Sequence, residues 1–177
     1  LSTWRSGDEV ALEVGRLCAL CRELHVLLGE GAQAGSVAGL VVSLDEWSLQ
    51  LAEHAASLYE LLPLRAGFDR DVALDPGVFH PALAQLRSWS AAGDDVALLA
   101  GFVDEVLPAL RREVATLREG CSEAAERSLR RALGFLTLDL DEAARIGGAR
   151  LAQLGQGPEI LDCMERARAA LEAILPS

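Results

Sequence analysis

Between residues 96 and 154, apolar side chains recur every three or four positions. They run through VALLAGFVDEVLPALRREVATLREG and then SEAAERSLRRALGFLTLDLDEAARIGGARLAQL. That spacing matches the turn of an α-helix, so the segment predicts two long amphipathic helices meeting near Gly120. A helix of this kind can bury its stripe only against other helices or a sheet. The pair reads as half of a four-helix bundle. Ala and Leu dominate the whole chain, and both lose little entropy in a helix. The expected class is all-α, and 177 residues without a linker, a repeat or a low-complexity stretch are expected to form one domain over 1–177.

The remaining segments fit the same class. Val10, Val14, Leu17, Cys21, Leu24 and Leu28 form one stripe of a first helix, with Asp8 as its expected cap and Gly29, Gly31 and Gly35 as its expected breakers. A second helix is expected from Ser36 to about Leu62, stopped by Pro63. Residues 65–81 are rich in Gly, Pro and Asp and predict a long crossover. The third helix is expected in two pieces: Pro81 to Trp89, then a second piece recapped at Gly93-Asp94-Asp95, running to Glu119 and kinked at Pro108. The fourth is expected from Ser122 to about Ile146, with Ala125, Leu129, Ala132, Leu136, Leu140 and Ala143 inward. There Gly147-Gly148 weakens the pattern, which Leu151 and Leu154 extend. Pro158 is placed to open a short fifth helix ending near Leu175.

Charge excludes several functions. A net charge of −11 disfavours nucleic acid and anionic membranes, because phosphate binding needs a basic stripe. All 16 basic residues are Arg, which we read as codon bias in a GC-rich genome. The pairs Arg111–Arg112 and Arg130–Arg131 each lie among acids and read as solvated helix faces. No apolar run reaches membrane-spanning length. No signal-peptide pattern is present, although an opening at Leu1 rather than Met leaves room for a preceding segment. Four irregularly spaced Cys do not form a secreted disulfide framework, so reduced thiols and a cytoplasmic location are expected. Nucleotide-binding glycine fingerprints and the nucleophile elbow are absent.

LYELLP (58–63), followed by the irregular connection, and VDEVLPALRREVATLREGCSEAAERSLRRALGFLTLDLDEA (103–143) resemble the largely uncharacterised ferritin-like proteins of actinobacteria. The resemblance spans roughly Leu40 to Leu151. It implies an up-down four-helix bundle with a long crossover between the second and third helices, and no particular activity. A di-iron member of such a family carries Glu on the first and third helices and Glu-x-x-His on the second and fourth. Glu23 and Glu105 stand at the first pair of positions, and Glu53 at the second-helix position, but three residues on is Ala56. His54 is adjacent to Glu53 and about 100° round the helix. Asp139 and Glu142 have the fourth-helix spacing, with Glu where His belongs. No Glu-x-x-His occurs in the chain, so iron is not expected.

Two constellations remain. Cys18, Cys21 and His25 share one helix face, and thiolates with an imidazole suit Zn²⁺ or Cu⁺. Glu53, His54, Cys121 or Cys163 are candidates for the fourth ligand. Against this, Cys21 lies on the apolar stripe, where a free thiol is an ordinary core residue. Glu53, His54, Asp139, Asp141 and Glu142 can meet between the second and fourth helices, where crowded carboxylates would raise one pKa and allow acid–base work. Pairing with Arg130, Arg131 or Arg145 is the plainer outcome. The leading expectation is a non-enzymatic bundle that has lost its metal site and binds a protein or small ligand. The alternatives are a metal-binding protein using Cys18, Cys21 and His25, and an atypical carboxylate-site oxidoreductase. Leu12, Leu20 and Leu27, with Val37 to Val42, are surplus to a single core and predict a two-fold homodimer. Coverage of that surface by the fifth helix would instead leave a monomer.

Overall fold

The computed structural model describes residues 6–35, 37–122, 126–155 and 157–175. Among them every regular element is helical and no strand occurs. The order is α1 (Gly7–Ala34), α2 (Ala38–Glu60), α3 (Arg70–Ala73), a 3-10 turn (Gly77–Phe79), α4 (His80–Ala92), α5 (Asp95–Ala100), a π-helical turn (Gly101–Val106), α6 (Leu107–Gly120), α7 (Arg127–Leu154) and α8 (Pro158–Glu172).

Helix ends follow local chemistry. Ser6, not Asp8, caps α1. Its hydroxyl accepts from Glu9 N–H at 3.2 Å while the Glu9 carboxylate accepts from Ser6 N–H at 2.7 Å, a reciprocal capping box. Asp94 caps α5 through Ala97 N–H at 3.0 Å. Helix α4, expected as the first piece of the third helix, instead runs parallel to α1, with Glu23 against Arg87 and Gly31 near Ser90, and so belongs to the connection before α5. Beyond Asp94, α5, the π turn and α6 form one continuous rod. Pro108 has no N–H to return to the carbonyl four residues back. The rod takes this up as the π turn just upstream, where Leu107 N–H reaches Phe102 O. Ser36, the expected start of the second helix, lies outside the described residues, as does Ala125. The described fourth helix starts at Arg127 rather than Ser122 and continues through Gly147 to Leu154.

Two glycines expected to break or weaken helices are close-approach positions instead. A Cβ on Gly31 would lie 2.7 Å from Leu98 Cδ2, so α1 runs on to Ala34 with α5 pressed against it. A Cβ on Gly147 would lie 2.4 Å from Val103 Cγ2, so α7 crosses the π turn at the same point.

Pairwise contacts set the arrangement. Cys18 meets Ala55 and His25 meets Ser48, so α1 and α2 are antiparallel. His54 meets Asp139 and Gly39 meets Arg150, so α2 and α7 are antiparallel. Val103 against Gly147 and Arg111 with Asp141 make the rod and α7 antiparallel. Leu98 against Gly31, with Leu17 and Leu20 near Leu117, do the same for α1 and the rod. Hence α2 and the rod point the same way, and their connection must travel back along the molecule. Residues 61–94 do this, carrying α3, the 3-10 turn and α4, and α4 packs on α1 and α5.

That second layer changes the burial of α1. Leu20 and Leu27, read from the sequence as surplus, are fully buried, and only Leu12 is exposed. The cause is that α4 and α6 both lie on α1, so its core-facing arc is wider than one stripe. The last helix does not supply this cover. It docks on α5 and the π turn, burying Met164, Ala167 and Leu171. On α7, Leu133 is buried where Ala132 was expected to be. Among the described residues, no helix is long and apolar enough to cross a membrane.

Candidate functional site

The pairing registers bring Glu23, Glu53, Glu105 and the Asp139–Glu142 stretch near one level along the helices. They do not bring them together. Glu23 points to α4 and pairs with Arg87. Glu53 is exposed. Glu142 is exposed and takes both guanidinium contacts of Arg145, at 2.8 and 2.6 Å, which holds its carboxyl below the usual range. Asp141 pairs with Arg111. Glu105 is half-buried in the π turn. Burial, then the nearby Glu172 and Asp104 charges, push its carboxyl up, while Arg168 binds Asp104 at 2.7 Å.

What faces inward at this level is apolar. Leu24, Leu51, Val106 and Leu140 are buried. Trp47 of α2 and Phe102 of the π turn meet across the diagonal, ring centroids 5.7 Å apart and 34° between planes. A ring pair there contributes packing and excludes water.

One polar pair survives from the expected cluster. His54 Nε2 donates to Asp139 Oδ2 at 2.7 Å, tying α2 to α7. The His54 side chain is only 12% exposed and Asp139 41%. The pair lies between an inner crevice touching Trp47 and Phe102 and an outer groove of about 670 Å³. Ser57, Ser128, Arg131 and Phe135 also line the outer groove, and the Arg131 guanidinium sits 5.5 Å from the Phe135 ring centre. Of these four, the sequence singled out Arg131 alone, as a partner for the carboxylates. Their convergence depends on the α2–α7 register.

The thiol–imidazole face is occupied by internal bonds. Cys18 Sγ donates to Ala55 O at 3.2 Å. Cys21 is fully buried. His25 Nδ1 contacts Ser48 O at 3.0 Å and Ser48 Oγ at 2.9 Å, and Ser48 Oγ donates to His25 O. Burial pushes both thiols up, away from the thiolate form that ligates metals. Cys121 is buried in the α6–α7 connection, and Cys163 of α8 lies beside Asp94. Neither reaches this face. His80, at the start of α4, bonds Asp75 Oδ1 at 2.8 Å in the crossover. Among the described residues, no three His, Cys, Asp or Glu side chains are grouped to hold a metal ion.

A second groove, of about 600 Å³, runs between α6 and α7. Arg111, Arg112, Arg118 and Arg130 line it. The sequence marked Arg111–Arg112 and Arg130–Arg131 as separate basic pairs and did not mark Arg118. The turn near Gly120, already expected from the sequence, brings the end of α6 and the start of α7 together. No family model, no curated protein and no solved structure matches this chain.

Proposed function

We propose that the protein is a ferritin-like helical bundle that has lost its dinuclear metal site and acts by binding a partner or small ligand, not by catalysis. The antiparallel neighbours and the long return between α2 and the rod support the ferritin-like topology. One observation carries the functional reading: at the level where Glu23, Glu53, Glu105 and Glu142 stand, the interior is filled by Trp47, Phe102 and leucines, while Glu53 is exposed, Glu23 and Glu142 pair with arginine and Glu105 lies half-buried toward Glu172. The free thiols favour a reducing compartment. Exposed Val42 and Leu49 on α2, with Phe135 and Leu138 on α7, offer surface for self-association.

Metal analysis and an absorption spectrum of protein purified without chelator test this. The expected result is no stoichiometric iron and no charge-transfer band. One or two iron atoms per chain, lost on substitution of Glu53, Asp139 or Glu142, would overturn it.

A further inference from the structure

We propose that the groove between α1 and α2 binds a single-headed apolar acid: a small molecule with one carboxylate and an unbranched hydrocarbon body. This rests on the reading of the protein as a binding bundle and names the chemistry of its ligand.

The antiparallel register sets the shape. Cys18 lies level with Ala55 and His25 with Ser48, which puts Arg22 level with Leu51 and Tyr59 with Val14. Positions 18, 22 and 25 fall within about 60° of one another round α1, and positions 52, 55, 56 and 59 within about 100° round α2. Both strips line one groove of about 350 Å³. Small side chains leave the space: Ala52, Ala55 and Ala56 from α2, and Cys18 from α1. Cys18 Sγ already donates to Ala55 O at 3.2 Å, so this floor carries no charge and no free donor. A hydrocarbon body loses nothing by lying on it, whereas a polar body would lose its water.

The two ends differ in charge. Arg22 and His25 stand at one end. His25 Nδ1 is engaged by Ser48 O at 3.0 Å, which fixes the ring as a wall. Arg22 makes no hydrogen bond or ion pair among the described residues. Burial pushes the Cys18 thiol up, and the Arg22 charge offsets part of that effect, so the guanidinium lies near the groove floor. On a chain with 27 acids for 16 arginines, Arg65, Arg87 and Arg168 are each held by a carboxylate. Arg22 is free to take one from a ligand.

Tyr59 and Glu60 stand at the other end. The Arg70 guanidinium sits 4.7 Å from the Tyr59 ring centre and also donates to Leu62 O, so Tyr59 is a fixed wall. The level of Arg22 is eight residues from that of Tyr59, about 12 Å along the axis. A guanidinium fork matches a carboxylate edge. A phosphate monoester carries nearly two charges at neutral pH, more than one arginine neutralises. Glu60 repels a second acid at the far end, which selects a monoacid over a diacid. The volume falls within the range of small-molecule sites.

The test is calorimetric titration at low ionic strength with straight-chain monocarboxylates of increasing length, kept below their micelle concentrations. Primary alcohols and α,ω-dicarboxylates of equal length are the controls. The expected result is one-to-one saturable binding that tightens with each added CH₂ and levels off once the chain spans the groove. The best monoacid should bind about tenfold tighter than its alcohol or its diacid. Arg22→Gln should weaken binding about tenfold, to the level of the alcohol. Ala56→Leu should fill the groove and weaken binding by about as much. Glu60→Gln should narrow the gap between monoacid and diacid about threefold. All three side chains are exposed, so the fold should persist, as checked by circular dichroism. If Ala56→Leu loses helicity, Arg22→Gln alone decides. No saturable binding, equal affinity for the alcohol, or binding unaffected by Arg22→Gln would overturn the proposal. Iron in the purified protein would refute the functional reading without bearing on this groove, and failure to bind monoacids would not restore a metal site.

Discussion

His54 on α2 and Asp139 on α7 stand 85 residues apart in the chain and 2.7 Å apart in space, Nε2 to Oδ2. It is drawn from the polar cluster expected between these helices, and it sits directly over the Trp47–Phe102 contact. A histidine this enclosed loses its hydration on folding, so removing its acceptor leaves a donor short of a partner. Asp139→Ala should cost about 1–3 kcal/mol in urea unfolding. A double-mutant cycle with His54→Ala should return a coupling of about 0.5–3 kcal/mol. Additive effects of the two substitutions would show that the contact contributes nothing.

Two adjacent glycines of α7 should respond oppositely to alanine. A Cβ at Gly147 runs into Val103, while at Gly148 nothing lies within 4 Å. Gly147→Ala should destabilise by about 1–3 kcal/mol through overpacking. Gly148→Ala should stabilise by about 0.4–1 kcal/mol by restricting the unfolded chain. Thermal unfolding of the two variants checks the signs. Val103→Ala in the Gly147→Ala background should recover part of the loss.

Glu105 makes stability depend on pH. Its carboxyl is pushed above the ordinary 4.5 by burial and by Glu172 and Asp104. The folded state therefore holds this proton better than the unfolded state does. The resulting stabilisation is full below the ordinary value and is lost as pH rises through the raised one. Glu105→Gln should accordingly raise the melting temperature near neutral pH relative to the native protein. That gain should shrink as pH falls through the carboxylate range. A constant difference from pH 3 to pH 8 would rule this out.

The cysteines should divide three to one. Cys18, Cys21 and Cys121 are buried, and Cys163 is half-buried. Burial, then Asp94, pushes the Cys163 thiol up, so it should react slowly with a thiol reagent at neutral pH and faster at alkaline pH. The other three should react only on unfolding. Cys21→Ala should cost about 1–2 kcal/mol, as for a small core residue. Added zinc should not shift the melting temperature of the native protein. A zinc-dependent rise abolished by Cys18→Ser and Cys21→Ala would instead place a metal on α1.

The all-helical class and the long amphipathic helices were legible in the sequence, because apolar spacing at Val10–Leu28 and through residues 96–154 is a local property that follows the backbone repeat. By contrast, α3 and the 3-10 turn fall in the stretch expected to be irregular. The stop at Pro63, the recapping at Asp94 and the start at Pro158 were legible too, since proline and Asp act on their own few neighbours. The roles of Gly31 and Gly147 were not legible. Whether a glycine breaks a helix or admits another depends on what approaches it, here Leu98 and Val103 from distant segments. The burial of Leu20 and Leu27 was hidden for the same reason, as it needs α4 and α6 laid over α1. The ferritin-like pattern picks out Glu23, Glu53, Glu105 and Glu142 as ligand positions, but rotation about each helix axis decides whether a carboxylate faces the interior. That rotation was set by the packing of Trp47, Phe102 and Leu140, because burying rings and leucines yields far more than burying unpaired charge. The arginine groove was likewise decided by tertiary structure. Arg118 and Arg130 become neighbours only when α6 and α7 fold back on each other at Gly120.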